Sequence, residues 1–353
     1  MSVFLSEKFS SLTPYTPGEQ PKERKYIKLN TNESPYPPSK KATERAAEAA
    51  KGLELYSDPE CTALACKIAD TYGVKRDQVI CTNGSDEVLN FAFMAFCDES
   101  HPAVFPNITY GFYSVFAELN RVPYEEIPLS KDFTVNVDDY VCIGKTVFIA
   151  NPNAPTGIAL SRSEIERIVA SNPDNVVVID EAYVDFGAES CVSLVDKYKN
   201  LLVTHTFSKS RSMAGARLGF GIGNAELIAD LNAIRYSTNP YNVNSMTMAA
   251  GIGVLEDEEY TRHNCRAIME NREYIRKELV RLGFEVTDSS ANFLFAAHPD
   301  VDGAELYSKL RERGILVRHF SKKEIARYNR ITVGSREQME ALVSALCDIL
   351  GRI

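Results

Sequence analysis

The chain contains no Cys-x-x-Cys pair, although eight cysteines are scattered at positions 61, 66, 81, 97, 142, 191, 265 and 347. Several fall inside apolar stretches, the pattern of reduced, mostly buried thiols in a cytoplasmic protein rather than of a disulfide framework. The five histidines (101, 205, 263, 298 and 319) show no metal-ligand spacing, which argues against a structural zinc site, and no metal ligand is assigned. Basic residues are in deficit. The net charge of −9 speaks against a general nucleic-acid binder, but not against small anionic substrates, because local arginines can still line a pocket. No apolar run approaches the length of a membrane span, and Met1 to Gln20 lack the basic start and apolar middle of a secretion signal. Neither Gly-x-Gly-x-x-Gly nor a P-loop pattern stands where a strand meets a helix, which weakens a nucleotide-binding reading. Internal repeats and low-complexity linkers are absent as well.

What is present is an α/β pattern. With 353 residues, 44% hydrophobic and 25% charged, one large and one smaller domain are expected. The first 40 residues, including Asn30-Thr-Asn32-Glu-Ser-Pro-Tyr-Pro-Pro38, are too rich in proline for a regular helix and read as an arm, residues 1–40, packed with the small domain. Strands follow near Val79–Cys81, Ala103–Phe105, Thr146–Ile149, Val176–Ile179, Leu201–Val203 and Leu218–Ile222, most of them separated by helical segments. This alternation predicts a mostly parallel sheet in a large domain, residues 41–245. A long helical stretch from about Ser245 to Arg281 leads into shorter units. These are strand Asn292–Ala296, helix Asp302–Arg313, strands Ile315–Arg318 and Arg330–Val333, and a helix from Glu337, together a smaller α+β domain, residues 246–353.

Two segments carry the chemistry. Val176-Val-Val-Ile-Asp180-Glu-Ala-Tyr183 and the later Thr206-Phe-Ser-Lys209 both read as a buried strand ending in a polar group. Ligands of open α/β sheets gather at the carboxyl ends of the strands, so an aspartate and a lysine share one edge. A strand-end lysine alone is most often a solvated surface residue. Asp180, Tyr183 and Arg217 change that balance. An acid beside a lysine in a cleft is the pairing a pyridoxal phosphate enzyme needs: the lysine forms the Schiff base, and the acid keeps the pyridine nitrogen protonated. Met213-Ala-Gly215 permits close approach of a ligand, and Arg217 offers a fork of donors that suits phosphate. Asn83-Gly84-Ser85-Asp86 is a strand-to-helix turn, either an anion site, an ordinary helix cap, or both. Asn151-Pro-Asn153-Ala-Pro155-Thr-Gly157 reads as a rigid loop in the same crevice, although a structural turn alone explains it. Tyr110 either stacks on a flat ring or simply packs.

Taken together, these motifs resemble the fold type I pyridoxal phosphate aminotransferases, and within them the chain is similar to the histidinol-phosphate aminotransferase family over nearly its whole length. Leu12-Thr-Pro-Tyr15, Leu29-Asn-Thr-Asn32-Glu, Tyr56-Ser-Asp-Pro-Glu60, Asp180-Glu-Ala-Tyr183, Phe207-Ser-Lys209, Gly215-Ala-Arg217-Leu-Gly219, Pro240-Tyr-Asn-Val243, Ile315-Leu-Val-Arg318 and Arg330-Ile-Thr-Val-Gly334 carry the likeness, in the family's order. It implies a seven-stranded large sheet. It also implies that Lys209 binds the cofactor covalently, Asp180 meets the ring nitrogen, Tyr183 donates to the phenolic oxygen and Tyr110 stacks on the ring. Gly84, Ser85 and Asp86, with Ser208 and Arg217, would hold the cofactor phosphate. Tyr56 would reach that region from the partner of a homodimer, and Tyr15, Asn32, Tyr56, Arg318 and Arg330 would meet the substrate.

The sequence departs from the family at Ala154, where many members carry an asparagine that contacts the phenolic oxygen; either Asn153 shifts into that role or Tyr183 carries it with water. The activity implied is transfer of the amine of L-histidinol phosphate to 2-oxoglutarate. The alternatives on the same fold are an aromatic amino acid aminotransferase and a decarboxylase of a phosphorylated amino acid such as threonine phosphate. A protein that keeps the fold only as a binding or regulatory module is disfavoured by the intact Lys209, Asp180, Tyr183 and Arg217.

Overall fold

The computed structural model describes residues 2, 4–10 and 12–351. Met1, Val3 and Ser11 of the expected arm, and Arg352 and Ile353 of the expected small domain, lie outside the described residues. The strands are β1 (Ile27–Lys28), β2 (Val79–Thr82), β3 (Ala103–Pro106), β4 (Tyr124–Ile127), β5 (Thr146–Ala150), β6 (Val177–Asp180), β7 (Leu201–Thr206), β8 (Gly219–Gly223), β9 (Glu285–Val286), β10 (Phe293–Ala297), β11 (Ile315–Leu316), β12 (Arg318–His319) and β13 (Asn329–Thr332). The helices are α1 (Lys40–Ala49), α2 (Thr62–Tyr72), α3 (Ser85–Phe96), α4 (Phe112–Asn120), α5 (Arg162–Ser171), α6 (Ala225–Thr238), α7 (Ser245–Leu255), α8 (Glu258–Arg281), α9 (Gly303–Glu312) and α10 (Arg336–Leu350).

A seven-stranded sheet in the order β2-β8-β7-β6-β5-β3-β4 forms the centre. β8 alone runs antiparallel to its neighbours. Every residue of β5, β6 and β7 is buried, which is why these strands appear in the sequence as unbroken apolar runs. One apolar core with Leu64, Ile68, Ile149, Ile179 and Val203 covers one face, and a second with Leu89, Phe93, Phe148, Val178 and Leu202 covers the other. The alternation of neighbours between the two cores follows from side chains pointing to opposite faces of a strand.

A four-stranded sheet, β12-β13-β10-β9, packs with α8, α9 and α10 around a third core. The arm joins it: β1 pairs in parallel with β11, and Leu29 is buried in that core. Expected Ser245–Arg281 is two helices, because the chain breaks at Glu256–Asp257 and α8 restarts with Glu258 and Glu259 at its positive end. Val254 and Leu255 of α7 lie in the core of the large sheet, whereas Cys265 and Ile268 of α8 lie in the third core. Gly253 lets α7 meet α1 closely, since a Cβ there would stand 2.6 Å from the Lys41 carbonyl oxygen. No helix among the described residues is long and apolar enough to cross a membrane.

Candidate active site

The parallel register aligns Ala150, Asp180 and Thr204 side by side at the carboxyl ends of β5, β6 and β7. Beyond these ends lies a cavity of about 120 Å³, lined by Ser85, Asp86, Tyr110, Ala154, Asp180, Tyr183, Ser208, Lys209 and Arg217 among others. It shares Tyr110, Ala154, Tyr183 and Lys209 with a wider one of about 420 Å³, which also takes in Tyr15, Asn32, Arg318 and Arg330. The fold thus brings the separate sequence motifs to one cleft. Tyr56 stands apart: it is 83% exposed, lines neither cavity and stacks on Tyr241 with ring centroids 4.6 Å apart.

Asp180 is buried among donors. The Thr204 hydroxyl donates to Oδ1 at 3.1 Å, the Tyr113 hydroxyl to Oδ2 at 3.3 Å, and the Ala182 amide to Oδ1 at 3.3 Å. Burial nonetheless pushes its carboxyl up to about 6, with the neighbouring Asp86 charge adding to the rise and the Thr204 bond opposing it. Such a carboxylate is stabilised by a protonated ring nitrogen placed against it. Lys209 Nζ donates to the Thr31 carbonyl at 3.1 Å and sits 5.7 Å from the Tyr183 ring centroid. Thr31 belongs to the arm, so the arm reaches the lysine.

The phosphate end is built from the turn after β2. Gly84 has φ +82°, a left-handed-side conformation that favours glycine, and a Cβ there would meet Arg217 Nη2 at 2.6 Å. Gly219 on β8 is equally constrained, since its Cβ would lie 2.3 Å from the Ser85 backbone nitrogen. Ser85 and Asp86, the first residues of α3, line the cleft with Arg217, and no side chain caps this helix end, which suits an anion. Arg217 donates to Asp86 Oδ2 at 2.9 Å and to Ser208 Oγ at 3.4 Å, and the Tyr110 hydroxyl donates to Asp86 Oδ1 at 2.7 Å. The Asp86 carboxylate thus orients Arg217 and Tyr110. Ring, nitrogen partner, lysine and anion cradle together fit pyridoxal phosphate.

Asn153 lines neither cavity; its amide donates to the Ile108 carbonyl at 2.9 Å and to Thr156, and accepts from Thr109 Oγ1 at 2.7 Å. It holds the loop, and the Ala154 methyl forms the wall. Asn32 faces Tyr183, to whose hydroxyl it donates at 3.0 Å. Tyr15 stacks on Phe112, with centroids 4.1 Å apart.

Arg318 and Arg330 are Cα register partners on β12 and β13. Arg330 donates to the Asn30 carbonyl at 3.0 Å, its guanidinium lies 5.4 Å from the Phe293 ring centroid, and its Nε is buried without a partner. Arg318 donates to the Thr16 and Pro17 carbonyls at 3.0 and 3.2 Å. Tyr113, Thr204, Thr31 and Thr332 were missed in the sequence. Thr204 stands two residues before Thr206, and Thr31 and Thr332 lie inside the quoted motifs at Leu29–Glu33 and Arg330–Gly334; Tyr113 carried no signal.

Residues 24–346 match the family described as aminotransferase class I and II, and the chain belongs to it. It is 47% identical over 348 residues to a histidinol-phosphate aminotransferase of Brachyspira hyodysenteriae, covering 98% of each chain. It is also 49% identical over 350 residues to histidinol-phosphate aminotransferase 1 of Bordetella parapertussis, again over 98% of both. Within the class, the chain belongs with the histidinol-phosphate aminotransferases. Its fold matches the crystal structure of histidinol-phosphate aminotransferase from Sinorhizobium meliloti in complex with pyridoxal-5'-phosphate, with TM-score 0.85, 21% identity and 93% and 92% of the two chains covered. The fold is that of the fold type I aminotransferases.

Proposed function

We propose that this protein is a pyridoxal phosphate-dependent aminotransferase of histidine biosynthesis, moving the amine of L-histidinol phosphate to 2-oxoglutarate to give imidazole acetol phosphate and glutamate. The observation that carries the reading is a single cleft with Lys209 and Asp180 at its floor and the Arg318–Arg330 pair at its mouth. Two guanidinium forks serve the phosphate of one substrate and a carboxylate of the other.

Bound pyridoxal phosphate supplies the electron sink for loss of the substrate's α-proton. The protein's part is to hold and to move protons. Asp180 would accept the ring N–H and Tyr183 would donate to the phenolic oxygen. Arg217, Ser208 and the first turn of α3 would hold the phosphate, and Tyr110 would cover the ring. The amine of Lys209, which donates to the Thr31 carbonyl, would serve as the base that takes the α-proton. Tyr15, Asn32 and the arginines place the substrate.

The reading extends to assembly. Residues 1–40 act as an arm on the small domain, with the division from the large domain drawn at Glu256–Asp257. Exposed Leu53, Leu55, Tyr56 and Tyr241 form an apolar surface that a second copy covers in a homodimer, bringing Tyr56 to the partner's cleft. The enzyme is cytoplasmic.

The test is glutamate formation by the cofactor-loaded protein from L-histidinol phosphate and 2-oxoglutarate. Faster turnover of phenylalanine or tyrosine would make it an aromatic aminotransferase. Carbon dioxide released from threonine phosphate without amine transfer would make it the decarboxylase.

A further inference from the structure

Tyr183 is held from behind by a two-residue relay that no requirement of folding explains. Asn32 sits at φ +57°, in the left-handed region that asparagine enters more readily than other non-glycine residues. It is buried, as is Thr332 on β13. The Asn32 amide N–H donates to Thr332 Oγ1 at 3.0 Å, and the Thr332 hydroxyl donates to Asn32 Oδ1 at 2.9 Å. Asn292 Nδ2 closes the cage on the Asn32 carbonyl at 3.0 Å. With its oxygen already accepting, Thr332 has one proton to give, and it goes to the amide oxygen. The Asn32 Nδ2 group is thereby turned toward Tyr183, 3.0 Å from the hydroxyl oxygen.

An amide N–H can only donate, so the Tyr183 oxygen accepts there and its own proton is directed elsewhere. No described protein group accepts that proton. What remains for the hydroxyl is the cleft, which Tyr183 lines together with Lys209 and Ala154. Ala154 offers no side-chain donor and Asn153 is committed to its loop, so neither stands in for the Tyr183 hydroxyl.

We infer that Thr332 and Asn32 are positioning residues that lock the Tyr183 hydroxyl as a donor to the cofactor's phenolic oxygen. Asn32 then acts through Tyr183, beyond its expected contact with substrate. The inference rests on the pyridoxal phosphate reading above. A directed donor stabilises the ring's phenolate and loosens the proton which that oxygen shares with the lysine nitrogen; a misdirected donor leaves the proton held more tightly. The charged and titratable groups near Tyr183 include Lys209, Arg330 and Tyr113, and Asp86, Tyr110, Asp180 and Arg217 line the same cavity. Neither position of the relay alters them.

The test is a pH titration of the visible absorption band of the cofactor-loaded protein. Thr332→Val, which keeps the shape and removes the hydroxyl, should raise the midpoint by about 1 pH unit. Asn32→Ala should give a similar rise, and Thr332→Ser should titrate like the wild type. Tyr183→Phe should also raise the midpoint, and adding Thr332→Val to it should produce no further change, since the relay acts only through that hydroxyl. A Thr332→Val protein that binds the cofactor and titrates as the wild type does would overturn the relay. So would a further rise in the Tyr183→Phe background, which would show Thr332 acting by another route. If Thr332→Val does not fold, Asn32→Ala and its combination with Tyr183→Phe decide the question by the same criteria. A wild-type protein with no visible band would instead refute the cofactor reading itself.

Discussion

Arg318 and Arg330 stand directly opposite each other on an antiparallel strand pair, with both side chains lining the wide mouth of the cleft. Like charges in register repel, and their proximity together with burial holds the Arg330 guanidinium below its usual range, burial being the larger cause. A fold keeps such a pair where an anion completes it.

The first prediction follows from that pair. Arg330→Ala should bind pyridoxal phosphate normally and lose catalytic efficiency by a factor on the order of 100, because charge-assisted hydrogen bonds contribute about 1.5–3 kcal/mol each. Steady-state kinetics with both substrates check this, and normal values with either would remove Arg330 from the substrate site.

Asp180 predicts a trade of stability for function. Its carboxyl titrates near 6 in the fold, against about 3.9 for an ordinary aspartate. The folded state thus binds the proton more tightly than the unfolded one. That contribution to stability is present below about pH 4 and is lost as the pH rises through 6; the ionised, buried group then costs roughly 3 kcal/mol. Cofactor-free Asp180→Asn should melt higher than wild type at pH 8, with the advantage gone by pH 4, and the loaded variant should be nearly inactive. Equal melting temperatures at pH 8 would contradict the burial argument.

At the phosphate cradle, Gly219→Ala forces a methyl into the Ser85 backbone. Cofactor affinity should fall by a factor on the order of ten or more, about 1.4 kcal/mol. Titrating the cofactor-free variant with pyridoxal phosphate measures it, and unchanged affinity would show that the turn after β2 is not the cradle.

For assembly, Leu55→Asp places a charge in the exposed apolar patch beside Tyr56. Sedimentation should show a monomer with little activity, because Tyr56 would no longer reach a partner's cleft. A stable dimer from this variant would move the interface elsewhere.

Where burial is complete, the sequence announces structure clearly: β5, β6 and β7 were readable because both faces are covered. β4 was not, since Tyr124-Glu-Glu-Ile127 is an edge strand with exposed charges, and β1 and β9 are only two residues long. The same contrast runs through the site. Lys209, Asp180, Tyr183 and Arg217 sit in contiguous motifs at strand ends, whereas Thr332 and Asn32 are 300 residues apart and meet only because the arm runs beside β13. For Asn153, the loop motif shows that the residue is polar but not that its amide turns to Ile108 and Thr109.

The most direct measurement is the absorbance of the cofactor-loaded protein mixed with L-histidinol phosphate in the absence of any keto acid. The account predicts that the visible band bleaches to that of pyridoxamine phosphate and returns on addition of 2-oxoglutarate. A band that ignores histidinol phosphate but responds to phenylalanine, tyrosine or threonine phosphate would contradict it.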